Sequence, residues 1–310
     1  MSFSFFSFAS MSFTVLSRRP LAKKMAEILA TVVLVYCAIL LLIAVFENRL
    51  IYFPQIPGRL SGEWSPRGLP VEDVTLETQD GVKLHAWWIP QPGAQFTFIA
   101  FHGNAANIAN RADVYRFLHA LPANVLAVEY RGYGRSEGAP TEAGLYLDAE
   151  AAFEFVRRVH HIPEGRVISF GQSLGTAVAV DLAARHKVGA LVLEAPFISA
   201  RAVARRFYWF LPGVGVVLRS KFETGQKLQK VSARVLVVHC ADDPVIPFAM
   251  GEQVYQRARM PKQFFRVNGY CHEEAALVDP AGYRAQLLEL LQKVRDAEAP
   301  AGQVLERNNQ

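Results

Sequence analysis

A serine framed by glycines is the first place in this chain where chemistry could be done. Gly171-Gln172-Ser173-Leu174-Gly175 follows an apolar run at 166–170 and precedes an Ala-rich stretch of helical spacing at 177–185. Strand, tight turn and helix therefore meet at Ser173. At such an apex the backbone is strained, the flanking glycines remove side chains that would collide, and the hydroxyl is lifted clear of the sheet. The helix that follows turns its positive end toward the charge that develops when the hydroxyl attacks a carbonyl. A serine hydroxyl is a poor nucleophile at neutral pH, so it needs a base, and the base needs an orienting acid. Two later loops supply candidates. Cys240-Ala241-Asp242-Asp243-Pro244-Val245-Ile246-Pro247 follows the apolar run 234–239, and Asn268-Gly269-Tyr270-Cys271-His272-Glu273 follows 263–267. His272 is the base. Asp243, Asp242 and Glu194 compete for the acid; the first two are adjacent, so only one can face the imidazole, and Asp243 is preferred. Metal chemistry is not expected, because His160-His161 and His272-Glu273-Glu274 lack a second histidine at helical spacing. No cofactor motif is present either.

These residues need a scaffold that brings distant loops together. Runs at 74–78 and 82–89, joined by Gln79-Asp80-Gly81, read as a β-hairpin. Further strands are expected at 97–101, 125–130, 166–170, 190–194, 234–239 and 263–267. Helices are expected at 107–120, 141–160, 175–185, 248–259 and 273–293. Most of the strands are continuous Val/Ile/Leu/Phe runs, as required of strands covered on both faces. The fold class is therefore α/β, a mostly parallel eight-stranded sheet between two helical layers. In such a sheet ligands bind at the carboxyl ends of the strands, where Ser173, Asp243 and His272 all fall. Phe101-His102-Gly103-Asn104-Ala105-Ala106-Asn107 leaves the first parallel strand, the place of one oxyanion-hole donor; the residue after the nucleophile is the other. Asn104 and Leu174 are assigned these roles through their backbone N–H groups. His102 reads as a structural loop histidine.

With 51% hydrophobic and 20% charged residues, the chain is neither disordered nor short of core. Its formal charge of +5 is mild and forms no Lys/Arg block, which argues against nucleic acid as a partner. An uncharged Ser/Phe-rich tail and the cations Arg18, Arg19, Lys23 and Lys24 precede an apolar run at 26–46. That run, about 21 residues, matches the hydrocarbon thickness. Ala44-Val45-Phe46 puts a ring where a signal peptide would be cut, so an uncleaved anchor is expected. The cations before the span outweigh Arg49 after it, which places the N-terminus in the cytoplasm and the catalytic domain on the translocated side. The domain organisation is thus a tail (1–25), an anchor (26–46), a connector (47–70), a catalytic domain (71–295) and a disordered tail (296–310). In the connector, Tyr52 and Phe53 suit either a membrane interface or the surface of the domain.

His102-Gly103-Asn104-Ala105-Ala106-Asn107, the Tyr130–Gly138 loop, Gly171-Gln172-Ser173-Leu174-Gly175 and the turn from Asp243 to Ile246-Pro247 resemble those of the α/β-hydrolase domain (ABHD) group of membrane-anchored serine hydrolases. The resemblance covers about residues 52 to 291. It implies an α/β-hydrolase fold with one N-terminal anchor, a Ser173–Asp243–His272 triad and no metal. It also favours Asp243, because the family's acid lies three residues before the Ile-Pro pair. The group includes esterases, lipid hydrolases and thioesterases, so an acyl ester or thioester, soluble or lipid-borne, is the implied substrate. A peptidase with the same triad and a non-enzymatic binding module are the alternatives. The family's usual glycine after the strand-end histidine is Cys240 here, and Cys271 precedes His272. An exported domain permits a disulfide between them; the alternative is two neighbouring free thiols, and Cα atoms more than about 7 Å apart exclude the bridge. Arg131 is expected to tie down carbonyls in the Tyr130–Gly138 loop. About forty residues separate Glu194 from Arg234, too few for a large cap, so a short lid over a fairly open site is expected. A lid helix at 198–211 would turn Val203, Phe207, Phe210 and Leu211 toward an acyl pocket. Its Arg201, Arg205, Tyr208 and Trp209 suit a membrane interface.

Overall fold

The computed structural model describes residues 19–298. It opens with one long helix, α1 (Arg19–Ile51), which from Leu21 is apolar and long enough to cross a membrane, and in whose most apolar stretch no residue is buried. The helix overruns the 26–46 run at both ends. Glu47 explains the far end: its carboxylate accepts the backbone N–H of Ser220 at 2.6 Å and of Arg219 at 2.8 Å, which pins the last turn to the rest of the protein. The start of the connector is therefore helix. Its remainder lies on the catalytic domain, with Tyr52 buried in the core and Arg59 donating to the carbonyls of Gly134 (2.9 Å) and Ser136 (2.7 Å). The expected tail before Arg18 and the residues after 298 lie outside the described residues; the last helix continues through Asp296 to Glu298.

Eight strands form one sheet: β1 (Glu72–Glu77), β2 (Lys83–Ile89), β3 (Phe96–Phe101), β4 (Ala123–Val128), β5 (Val167–Gln172), β6 (Ala190–Glu194), β7 (Arg234–Cys240) and β8 (Lys262–Val267). Their spatial order is β1-β2-β4-β3-β5-β6-β7-β8. β2 pairs antiparallel with β1 and β4; every later pairing is parallel. All residues of β3, β5 and β6 are buried, which is why these strands lack alternation. The helices α2 (Ala112–His119), α3 (Glu142–Arg158) and α4 (Leu174–Arg185) follow β3, β4 and β5. A lid of three short helices, α5 (Ala200–Phe207), α6 (Val214–Val217) and α7 (Thr224–Lys227), separates β6 from β7. Then come α8 (Phe248–Arg257), α9 (Ala275–Val278) and α10 (Pro280–Glu298). One core layer gathers Phe153 of α3, Val178 of α4 and Val254 of α8; the other gathers Tyr115 of α2 and Tyr283 and Leu287 of α10.

Three helices differ from the periodicity reading, each for a local reason. Asn107 caps a single 3₁₀ turn, its side chain accepting from Ala109 N at 2.8 Å, so α2 starts only at Ala112. Pro280 opens a new helix and splits the stretch expected at 273–293. The lid helix stops at Phe207, because Tyr208 leaves helical angles (φ −116°, ψ 42°) while its N–H still bonds Ala204 O at 2.8 Å.

Arg131 also behaves differently from expectation. Its guanidinium binds carboxylates: Nε meets Asp148 at 2.7 Å, and Nη1 meets Asp80 at 2.8 Å. Nη2 also meets Asp80, at 3.0 Å, and Arg131 N adds a fourth bond, to Asp148 at 2.9 Å. The Asp148 side chain is fully buried while Asp80 is 42% exposed, so the two pairs carry unequal weight. Asp148→Ala should destabilise the domain by about 3–5 kcal/mol, the toll of stranding a buried partner, whereas Asp80→Ala should remain near 1 kcal/mol or below. Denaturant midpoints of the two variants in detergent check this; equal shifts would contradict it.

Candidate active site

Ser173 follows β5 with φ 48° and ψ −115°, a conformation that non-glycine residues seldom adopt. The neighbouring glycines show what holds it there. A Cβ on Gly171 would collide with the Gly175 carbonyl, and one on Gly175 with the carbonyl of Phe101 at the end of β3. Helix α4 therefore approaches β3 and β5 more closely than any side chain allows, and the serine is forced to the apex between them.

The loops after β7 and β8 arrive at this hydroxyl. His272 Nε2 lies 2.8 Å from Ser173 Oγ, and His272 Nδ1 lies 2.8 and 3.0 Å from the two oxygens of Asp243. Asp243 is held by its own turn, accepting the N–H groups of Val245 and Ile246 at 2.8 Å each. Cys240 and Cys271 form a disulfide, with Cα atoms 5.6 Å apart, so the acid and histidine loops are joined covalently beside the groups they carry. The free-thiol alternative is thereby set aside for this pair; Cys37 is free on α1.

Electrostatics follow from that geometry. Burial by itself would raise the Asp243 carboxyl, but hydrogen bonds from His239 and His272, and the nearby imidazole, hold it well below the usual carboxylate range. Burial by itself would lower the His272 imidazolium; the Asp243 hydrogen bond and the charges of Glu273, Asp243 and Glu274 outweigh it and push it above its ordinary 6.5. The other two acid candidates sit elsewhere. Asp242 is exposed. Glu194 is buried under the histidine loop, where Oε1 accepts Ala275 N at 3.0 Å and Oε2 accepts the Gln172 amide at 3.1 Å. Burial first, then the Glu273 and Glu274 charges, push Glu194 up to about 8.

Leu174 adjoins the serine, and Asn104 lies in the loop that leaves β3. Leu174 is the first residue of α4, where an N–H has no helical acceptor. Asn104 is tied down through its other groups: its side-chain amide donates to Ile51 O at 3.0 Å, and its carbonyl accepts Phe53 N at 2.9 Å and the Tyr133 hydroxyl at 2.8 Å. Among the described residues neither Asn104 N nor Leu174 N is taken up by a backbone carbonyl outside the regular elements. His102 is buried below this loop, with Nδ1 2.7 Å from Gly103 O and Nε2 3.2 Å from Glu129. It is a structural histidine.

Several supporting residues were not singled out from sequence. His239, fully buried, places Nε2 3.3 Å from Asp243 and 2.9 Å from Ile246 O, bracing the acid from behind. Gln172 donates to Glu273 O at 3.0 Å, and Arg111 pairs with the Glu273 carboxylate at 2.7 Å. The position of Gln172 next to Ser173 was the only available signal. The expected roof over an acyl pocket is not formed: Phe207 and Phe210 are exposed. Ser173 is nonetheless buried, since the His272 ring lies against its hydroxyl, so the site is less open than the short lid implied. Among the described residues no group of three or more His, Cys, Asp and Glu is placed to hold a metal ion.

The sheet order, with a strained serine after β5 and acid and histidine loops after β7 and β8, is that of an α/β hydrolase. Comparisons place it more closely. Residues 93–221 match the model of the family described as serine aminopeptidase, S33. An uncharacterized protein of Mycobacterium tuberculosis is 35% identical over 81% of this chain and 89% of its own length. The α/β hydrolase domain-containing protein WAV2 of Arabidopsis thaliana is 35% identical over 73% of this chain and 79% of its own. Human α/β hydrolase domain-containing protein 17B is 34% identical over 67% of this chain and 71% of its own. Among solved structures, the Pyrococcus furiosus esterase Pf2001 superposes with a TM-score of 0.65 at 20% identity, over 78% of this chain and 97% of that one. The chain belongs to the α/β hydrolase domain-containing family, with the fold of that family's hydrolases.

Proposed function

We propose that this protein is a membrane-anchored serine hydrolase acting on an acyl ester or thioester, soluble or lipid-borne. The observation that carries this reading is the unbroken line from Ser173 Oγ through the His272 ring to the Asp243 carboxylate, with 2.8 Å at either end. Ser173 Oγ attacks the acyl carbon while His272 Nε2 takes its proton. The tetrahedral oxyanion is held by the N–H groups of Asn104 and Leu174. Nε2–H then protonates the leaving alcohol or thiol, and an acyl-serine remains. Water, deprotonated by the same nitrogen, releases the acid and restores the hydroxyl. No cofactor enters these steps.

The apolar α1 is the anchor in this reading, with its basic N-terminal flank in the cytoplasm and the domain on the translocated side. The Cys240–Cys271 disulfide supports that side, since such bonds persist in oxidising compartments. The matched family's description raises an aminopeptidase reading. Against it stands the pairing of Glu273 with Arg111 and of Glu274 with the N–H groups of His272 and Glu273, which occupies carboxylates that could hold a substrate ammonium.

A fluorophosphonate probe applied to the full chain in detergent is expected to modify the peptide containing Ser173. Folded protein that stays unlabelled would sink the proposal. A panel of acyl esters of rising chain length, run beside aminoacyl amides, separates esterase from peptidase.

A further inference from the structure

The lid carries a cluster of exposed large apolar side chains. Trp209 is 77% exposed, Phe210 63% and Val216 70%, although each could have turned inward. They stand at the tip of the lid, Trp209 and Phe210 between α5 and α6 and Val216 on α6 itself. The same tip is docked on α1: the Tyr36 hydroxyl donates to Pro212 O, Leu40 lies where a Cβ on Gly213 would reach 3.9 Å, and α6 packs along the helix. At the other end of the lid, Arg219 N and Ser220 N bind Glu47. The lid therefore runs alongside α1 from Glu47, where the apolar run ends, to Tyr36 within it. At 1.5 Å per residue that is about 16 Å along the helix axis. It is about half the ~30 Å thickness of a hydrocarbon core.

We infer that the tip of the lid, around Trp209, Phe210 and Val216, is immersed in the acyl chains of the leaflet nearer the catalytic domain, beside α1. This rests on reading α1 as a membrane span. Unpaired backbone polar groups are costly in hydrocarbon, so the pairing of the irregular tip limits how readily it enters. Here Tyr208 N bonds Ala204 O, Leu211 N bonds Tyr208 O, Val214 N bonds Leu211 O and Val216 N bonds Gly213 O, all between 2.8 and 3.2 Å, while among the described residues no backbone carbonyl takes up Trp209 N, Phe210 N or Gly213 N. Pro212 has no N–H to satisfy, and its carbonyl is met by the hydroxyl of Tyr36, in the middle of the 26–46 run. The charge of the lid fits lipid better than a second copy of this chain. From Ala195 to Phe222 it contains Arg201, Arg205, Arg206, Arg219 and Lys221 and no acidic residue. A symmetric dimer through this face would set like charges against each other. Anionic headgroups are complementary, and exposed arginine stems reach them while covering apolar surface. A cleft of about 240 Å³ between Arg205, Trp209, Leu211 and Val216 opens on this face. The lid so placed would receive acyl substrates from the leaflet.

The test uses the full chain reconstituted into vesicles of phosphatidylcholine and phosphatidylglycerol brominated midway along their acyl chains. The other tryptophans are Trp64, Trp87 and Trp88, so Trp209→Phe isolates the lid contribution by difference. The Trp209 emission should be largely lost in brominated vesicles and retained in unbrominated ones, in protein that resists alkaline carbonate extraction. Carbonate-resistant protein whose Trp209 emission survives the bromines would overturn this inference and leave the anchor standing, whether water or a second copy covers the tip. Protein released by carbonate would overturn the anchor reading, and this inference with it.

Discussion

Ser173→Ala should lower kcat for a small soluble ester by about six orders of magnitude while leaving the protein folded. The substitution keeps the Cβ, so the strained backbone at φ 48° and the fit of Gly171 and Gly175 against their neighbours are unchanged. Only Oγ is lost, and with it one hydrogen bond to His272 Nε2. The stability change is accordingly held to about 1 kcal/mol. The effect on rate is far larger because the remaining partners have no work without a nucleophile. His272 can still activate water, and the Asn104 and Leu174 N–H groups can still polarise a carbonyl. Those parts together sustain only a residual rate of roughly a thousandfold or more over water. Steady-state hydrolysis of a short-chain ester, with thermal unfolding measured on the same sample, checks both halves. A variant that keeps even one per cent of the activity would move the nucleophile elsewhere; a wild-type protein with no activity on any acyl ester or amide would favour a binding module.

Residues around this serine were readable because the causes of their geometry are local. Gly171 and Gly175 announce a close backbone approach, and continuous apolar runs announce strands buried on both faces. The acid and histidine loops were readable because strand ends in a parallel sheet converge. Contacts between elements far apart in sequence were not. Nothing near Glu47 says that its carboxylate will cap the backbone at Arg219 and Ser220, and nothing near Arg111 points to Glu273. The same holds for Arg131, whose carboxylate partners Asp80 and Asp148 lie on different elements. Periodicity overreached in the lid, where Val203, Phe207, Phe210 and Leu211 scan as one helical face. The helix ends at Phe207, four residues before the expected end at Leu211, and the aromatic residues that follow are left exposed. The cysteines show the limit most plainly. Adjacency to Asp243 and His272 made a bridge possible, and only the 5.6 Å between Cα atoms decides it.

Asp243→Asn tests the acid through a change of tautomer, with little change of shape. The carboxylate is enclosed by donors: Val245 N, Ile246 N, His272 Nδ1 and His239 Nε2. An asparagine oxygen can keep the two backbone bonds. Its NH₂ then faces His272 Nδ1, and the imidazole answers by accepting there and carrying its proton on Nε2. A protonated Nε2 cannot take the Ser173 proton, so kcat should fall by about four orders of magnitude, as expected when a serine-hydrolase histidine is held in the wrong tautomer. The pH profile gives a second reading. His272 must be neutral to act as base, so the wild-type rate should rise with pH through an imidazole value lying above the ordinary 6.5. Removing the Asp243 carboxylate deletes both a hydrogen bond and a charge that favour imidazolium, so the residual limb should move to lower pH. Linkage signs agree. The raised His272 contributes stability below pH 6.5 that is lost as pH climbs through its folded value, and the lowered Asp243 contributes stability above 3.8 that is lost on acidification. The pair is thus most stabilising between those limits, and the Asn variant should lose most stability there. An Asn variant within tenfold of wild type, with an unmoved acid limb, would transfer the role from Asp243 to another carboxylate, with Glu194 next in line.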